Sequence, residues 1–305
     1  MRRVGVHAER SAALEVLLHG LVDYAGLFAP ASLSMAEAAA RYDEYRRGTH
    51  AWMLGRFVVP VARLAELERE GDAVLRRGAP WKLSVIGEAG DREAVERFNV
   101  RNYGRAAVDS LEGKASTVEA IAEFASFDGL HTREGEPFRV FVEVPIAEDP
   151  GALVAAIAAH GLHAKVRTGG VTPDAFPNAH ALACFLAACA EQDVVFKATA
   201  GLHHAMCGEY RLTYQDGSGA HTMYGFLNVF LAAFFLRAGI TTAQAAGLLL
   251  ERKPAAFDFD AGGVTWQGHR LDAHSIDALR ERFAASFGSC SFEDPVEELA
   301  SLGLI

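Results

Sequence analysis

Short apolar runs alternate with amphipathic stretches along most of this chain, and that alternation predicts its architecture. Apolar runs at 21–28, 52–59, 82–86, 106–111 and 138–144 have the length of buried strands. Two more strands carry His163-Ala-Lys-Val-Arg-Thr-Gly-Gly170 and Val194-Val-Phe-Lys-Ala-Thr-Ala-Gly201, and a last one covers 286–292. Helical patterns lie between them, over 4–19, 34–47, 62–70, from 92, from 117, up to 160 and over 173–190. Ser34 and Glu37 have capping-box spacing, and Pro173 suits the first turn of its helix. Eight strands alternating with helices predict one α/β domain over 1–305, folded as a closed (β/α)8 TIM barrel.

After the seventh strand the rhythm changes. Residues 202–224 are polar and rich in Gly, His and Tyr; helices are predicted over 225–238 and 241–251. The stretch 257–271 alternates around glycines like hairpins, and helices follow over 273–285 and from Pro295. The expectation is a long helical and hairpin insertion over 202–285, set between strands seven and eight, where barrel loops cover the active site. His203, His204, His221, Tyr210, Tyr214 and Tyr224 give it groups that can hydrogen-bond a polar substrate. The apolar run 225–236 is too short to cross a bilayer. It reads as a buried helix that anchors the insertion to the barrel or to a second subunit, which leaves a homo-oligomer open.

Composition narrows the partners. The net charge is −10 and no Lys/Arg-rich run occurs, so neither nucleic acid nor a membrane is expected as a partner. Four cysteines match no zinc spacing, and so few in a long chain suit a reducing, cytoplasmic setting. The first residues lack the continuous apolar core of a signal peptide.

The chemistry centres on two lysines. Lys165 and Lys197 sit inside apolar strands, where an ammonium loses its water and a like charge repels it. Both effects lower a lysine pKa, and a neutral amine attacks carbonyls. In a TIM barrel, the C-terminal ends of the strands and the loops after them form the active site. Those ends carry Asp23, Asp109, Glu143, Lys165, Arg167, Lys197, Ser289 and Cys290. Period-two spacing puts Lys165 with Arg167, and Lys197 with Thr199, on shared faces. Gly169, Gly170, Gly201 and Gly288 follow strands six, seven and eight, where backbone N–H groups can approach a ligand anion. Ser289, Cys290 and Ser291 precede a helix start. Competing expectations are a charge network that only fills the barrel mouth, and a metal site built from His203, His204 and His221 with Glu143 or Asp23. No HxH or HExxH motif occurs, so no metal or other cofactor is expected. Cys290 reads as a lining residue without a dedicated His partner.

These segments resemble, in order, the class I aldolases of the deoxyribose-phosphate aldolase type. Val22-Asp-Tyr-Ala-Gly-Leu-Phe-Ala-Pro-Ala-Ser32 is similar to that family's first strand, and Phe57-Val-Val-Pro-Val-Ala-Arg-Leu64 to its second. Ser84-Val-Ile-Gly87, Val108-Asp109 and Val142-Glu143 are similar to the third, fourth and fifth. Ala164-Lys-Val-Arg-Thr-Gly169 is similar to the sixth, Lys197-Ala-Thr-Ala-Gly-Leu202 to the seventh and Phe287-Gly-Ser-Cys-Ser291 to the phosphate-binding eighth. The resemblance implies a cofactor-independent lyase acting on a small-molecule carbonyl substrate, phosphorylated or otherwise anionic. It implies that Lys165 forms the Schiff base, that Lys197 lowers its pKa and moves protons with Asp109, and that Asp23 is a supporting carboxylate. Gly169, Gly201, Gly288 and Ser289 would border an anion site, with Glu143, Arg167, Gly170, Thr199, His203, His204 and Cys290 around the substrate. Two motifs depart from the family pattern: its Gly-Phe-Pro is Gly87-Glu-Ala here, and its Gly-Gly-Ile-Arg is Ala200-Gly-Leu-His203. A metal-assisted hydrolase or isomerase, or a non-catalytic binding protein on the same barrel, are the other readings.

Overall fold

The computed structural model describes residues 11–132 and 135–305. Eight parallel strands close into a barrel: β1 Val22–Tyr24, β2 Leu54–Pro60, β3 Trp81–Ile86, β4 Ala106–Lys114, β5 Arg139–Glu143, β6 His163–Arg167, β7 Phe196–Thr199 and β8 Ala284–Ser289. Helices alternate with them, so the (β/α)8 TIM barrel expected from the alternation is the fold. The expected opening helix is seen as Ala12–Leu18; its residues 4–10 lie outside the described residues.

The helix Met35–Tyr45 starts at Ser34, whose Oγ accepts from Glu37 N while Ser34 N donates to Glu37, completing the capping box. Its Tyr42 ring packs on Phe57 and Trp81, which fixes that helix against β2 and β3. The single helix expected over 173–190 is broken. A 3₁₀ turn, Pro173–Ala175, precedes a helix Ala179–Glu191. Pro177 pushes its predecessor out of the helical region, and Asn178 then caps the new helix through Ala181 N.

Strand β4 runs three residues further than the apolar pattern suggests and carries a bulge. Leu83 pairs with Val108 but Ser84 pairs with Ser110, so Asp109 is the extra residue. Beyond it, Ser110, Glu112 and Lys114 share one face.

The segment 202–283 does not act as one lid. Helix Phe226–Arg237 is buried on nearly all sides; Phe226 stacks on Phe287 of β8 and Phe230 packs at a tilt on Phe196 of β7. Burying each such ring contributes about 1.5–3 kcal/mol. Its one polar residue inside, Asn228, accepts from Cys207 N and donates to the carbonyls of Leu248 and Glu251, so it is fully satisfied. That apolar helix is therefore covered within the chain, by Ala179–Glu191 and Thr242–Leu249, and presents no face to another subunit. A three-stranded antiparallel sheet, Asp258–Asp260, Gly263–Trp266 and His269–Asp272, packs with helix Ala273–Arg282 against the opening helix Ala12–Leu18. That helix precedes β1, so this part lies at the N-terminal end of the barrel, away from the strand ends that carry the site. Only 202–224 stays near those ends. It contains a hairpin the polar composition did not suggest, Gly208–Arg211 with Ala220–Met223.

Among the described residues no helix is long and apolar enough to cross a membrane.

Candidate active site

Register brings three charged residues level on neighbouring strands. Glu143 of β5 pairs with Lys165 of β6, and Lys165 pairs with Lys197 of β7. Between the lysines stands Glu112 of β4. Its Oε2 is 3.0 Å from Lys165 Nζ and its Oε1 is 2.6 Å from Lys197 Nζ. Lys197 Nζ also donates to Asp23 Oδ2 at 2.5 Å, and Asp23 further accepts from Ser286 Oγ at 2.7 Å and from Arg56 N at 2.6 Å. Ser84 Oγ donates to Glu112 at 2.6 Å and accepts from Ser110 Oγ. Lys165 Nζ reaches Glu143 Oε2 at 3.1 Å, at an angle that leaves this buried oxygen without a well-formed hydrogen bond. The other Glu143 oxygen faces Arg167 Nε at 3.2 Å and Lys114 Nζ at 3.5 Å.

Glu112 is the site residue that the apolar pattern missed. Strand four was expected to end at Leu111, one residue short. Asp109 was expected beside Lys197; it is instead held by Arg56, with Nε and Nη2 at 2.6 and 2.9 Å from its two oxygens. The bulge at Asp109 explains the exchange, because it shifts the alternation and delivers Glu112 to the lysines.

The expected lowering of lysine pKa by a lysine neighbour does not hold for Lys197. Burial pushes it down, but Asp23 and Glu112 more than offset burial and its pKa is raised. Burial likewise opposes ionisation of Glu112, yet Lys197 and Lys165 hold its carboxyl well below the usual range. Glu143 is lowered too, by Lys165, Arg167 and Lys114 against the effect of burial.

The two lysines differ in access. A cavity of about 360 Å³ opens above the barrel, lined by Glu112, Lys114, Lys165, Arg167, Thr199 and His203 among others, and Lys197 is not part of its wall. Gly170, Gly201 and Gly288 also line it, with Cys290. The side of each glycine that lacks a side chain is filled by protein, however. A Cβ on Gly169 would meet the Phe176 ring at 2.4 Å, one on Gly170 would meet Ala175, one on Gly201 would meet Gly169 Cα at 2.9 Å, and one on Gly288 would lie 3.3 Å from Thr199 Oγ1. Gly201 also has φ +73, which favours glycine. Close packing of the loops after β6 and β7 accounts for Gly169, Gly170 and Gly201, whereas Gly288 lies within β8 beside Thr199 of β7.

His203 and His204 part company. His203 Nδ1 is 3.1 Å from Ser289 Oγ and 3.7 Å from Cys290 Sγ, so Cys290 does have a histidine beside it. Burial pushes His203 down to about 4 and the Cys290 thiol up to about 11, so both are neutral near pH 7 and no thiolate forms. His204 turns away. It bonds Glu298 of helix Glu293–Ser301 and stacks on the Tyr210 ring, with centroids 3.3 Å apart. His221 packs on Phe176, and Tyr224 donates to Pro177 O. Among the described residues no three His, Cys, Asp or Glu side chains stand together as a metal set.

No family model and no curated protein sequence matches this chain.

Proposed function

We propose that this protein is a cofactor-independent lyase of the class I aldolase kind, in which Lys165 forms an imine with a small carbonyl substrate. The observation that carries this reading is the contrast between the two aligned lysines. Lys165 lines an open cavity with a carboxylate on each side, whereas Lys197 is sealed beneath it by two carboxylates. In this reading Lys165 passes a proton to Glu112 Oε2 or Glu143 Oε2, and its nitrogen attacks the carbonyl carbon. The carbonyl oxygen takes two protons and leaves as water, which yields the iminium. A carboxylate then accepts the hydroxyl proton β to the iminium. The carbon–carbon bond breaks with its electrons moving into the iminium, and an enamine results. Protonation and hydrolysis release the product and restore the amine.

Glu112 takes the proton-relay part in place of Asp109. Lys197 keeps its carboxylate charged, and Asp23 keeps Lys197 charged. Loss of the Lys165 charge removes one of the two cations that hold the Glu112 carboxyl down, which makes Glu112 a better proton acceptor at that step.

The test is borohydride reduction in the presence of small aldehydes and ketones, followed by peptide mass mapping. A reduced adduct on Lys165, lost in Lys165→Arg, is expected, because guanidinium stays protonated. An adduct on Lys197 alone would reverse the roles. No adduct with any compound that the protein turns over would sink the imine mechanism.

A further inference from the structure

The charges around the cavity do not balance. Lys114, Lys165, Arg167 and Lys197 are joined by contacts to three carboxylates, Asp23, Glu112 and Glu143. Arg56 and Asp109 are a matched pair outside this count. One positive charge is thus in excess within a chain of net charge −10. The excess lies on one side. Lys114 and Arg167 meet only at Glu143 Oε1, and among the described residues neither makes another ion pair or side-chain hydrogen bond. Their remaining N–H donors are available to a ligand.

The opposite wall, after β7 and β8, has no such capacity. It carries Gly201, His203, Gly288 and Cys290, with His203 neutral. The helix that begins there, Glu293–Ser301, has Glu293 and Asp294 in its own first turn, which disfavour an anion. Asp294 N is already taken by Ser291 Oγ.

Lys114 and Arg167 also line a second cleft, of about 740 Å³, whose walls include Pro145, Ile146, Phe176 and Pro177, with the exposed Asp174 on its rim as an acid that contacts neither cation. Glu143 lines it as well. The two spaces therefore meet at this pair of cations, with the inner one ending at Lys165 and the outer one walled mainly by apolar side chains.

We propose that the substrate is an anionic carbonyl compound whose carboxylate or phosphate is held by Lys114 and Arg167, with an apolar extension beyond it in the outer cleft. The carbonyl part rests on the imine reading; the anion subsite rests on the charges alone. A charged group at this gate exchanges its water for charge-assisted hydrogen bonds. It also neutralises the excess charge that the three carboxylates leave.

The experiment has two independent arms. Calorimetry measures binding of inorganic phosphate and of 2-oxobutanoate to the wild-type protein and to a Lys114→Met/Arg167→Met variant. Borohydride trapping measures half-saturating concentrations for 2-oxobutanoate, 2-oxooctanoate and the neutral 2-butanone, and for dihydroxyacetone with and without its phosphate. We expect the anionic member of each pair to trap at lower concentration. The double variant should shrink that preference about ten-fold, the equivalent of 1.4 kcal/mol. It should weaken calorimetric anion binding by a similar factor. Whichever anion shows the larger preference identifies carboxylate or phosphate. Ile146→Asp should reduce the advantage of 2-oxooctanoate over 2-oxobutanoate. Trapping on Lys165 with no anion preference, or a preference unmoved in the double variant, overturns the subsite and leaves the imine standing. Anion binding that weakens in the double variant without any Lys165 adduct keeps the subsite and sinks the imine. Neither binding nor trapping overturns both.

Discussion

Lys165 and Lys197 face each other in the register of adjacent strands, yet one opens onto a cavity and the other is enclosed. Glu112 joins them, with one oxygen for each ammonium. This single carboxylate makes two like charges tolerable side by side, and it ties the proposed nucleophile to the core of the barrel.

The enclosed lysine is expected to matter most for folding. Lys197→Met leaves Asp23 and Glu112 buried without their shared cation, and loss of one partner of such a pair costs about 3–5 kcal/mol. Lys165→Met is expected to cost less, because Glu112 keeps Lys197 and Glu143 keeps Lys114 and Arg167 as cation partners. Urea denaturation of both variants checks the order. A larger loss for Lys165→Met would mean that these remaining partners do not compensate.

Asp109 separates this chain from the pattern its segments resemble. Held by Nε and Nη2 of Arg56, it is a structural partner. Asp109→Asn is expected to lower stability by about 3 kcal/mol while borohydride still traps substrate on Lys165 in the folded protein. Glu112→Gln is expected to do the reverse on chemistry, with trapping slowed by about ten-fold or more, the contribution of a positioned proton acceptor. If Asp109→Asn abolished trapping with stability intact, the roles assigned to the two carboxylates would be wrong.

Acid should weaken the fold through the same network. Glu112 and Glu143 both have carboxyls held below their ordinary value in the folded chain. Their contribution to stability is complete above the unfolded-state pKa, about 4.3, and is lost as pH falls through the lower folded values. Glu112→Gln lacks one such group. The stability gap between wild type and Glu112→Gln, about 3 kcal/mol at pH 7 by analogy with other broken buried pairs, should narrow steadily below pH 4. A gap independent of pH would show that Glu112 is not ionised in the folded state.

His204 is expected to act on stability alone. Its bond to Glu298 and its stacking on Tyr210 tie the loop after β7 to the last helix. His204→Ala should cost about 1–2 kcal/mol. Trapping at Lys165 should be unchanged in the folded fraction. Lost trapping at unchanged melting temperature would instead put His204 against the substrate.

Much of this architecture was legible along the chain because strand and helix burial have different periods. Alternating apolar runs reported the order of eight strands, and the two lysines inside such runs marked the centre of the candidate site. The pairing of Lys165 with Arg167 and of Lys197 with Thr199 followed from the two-residue repeat alone. Other features were not local. Which carboxylate reaches the lysines depends on one extra residue at Asp109, a bulge that exists only when β3 and β4 are in register. That Cys290 meets His203, and that His204 meets Glu298, depends on loops closing across 87 and 94 residues. The two parts of the insertion that flank helix Phe226–Arg237 went to opposite ends of the barrel because that apolar helix buried itself against β7 and β8 between them. Periodicity fixes which face of each element is buried; only packing in three dimensions decides which charges those faces bring together, and which of the two lysines lines the cavity.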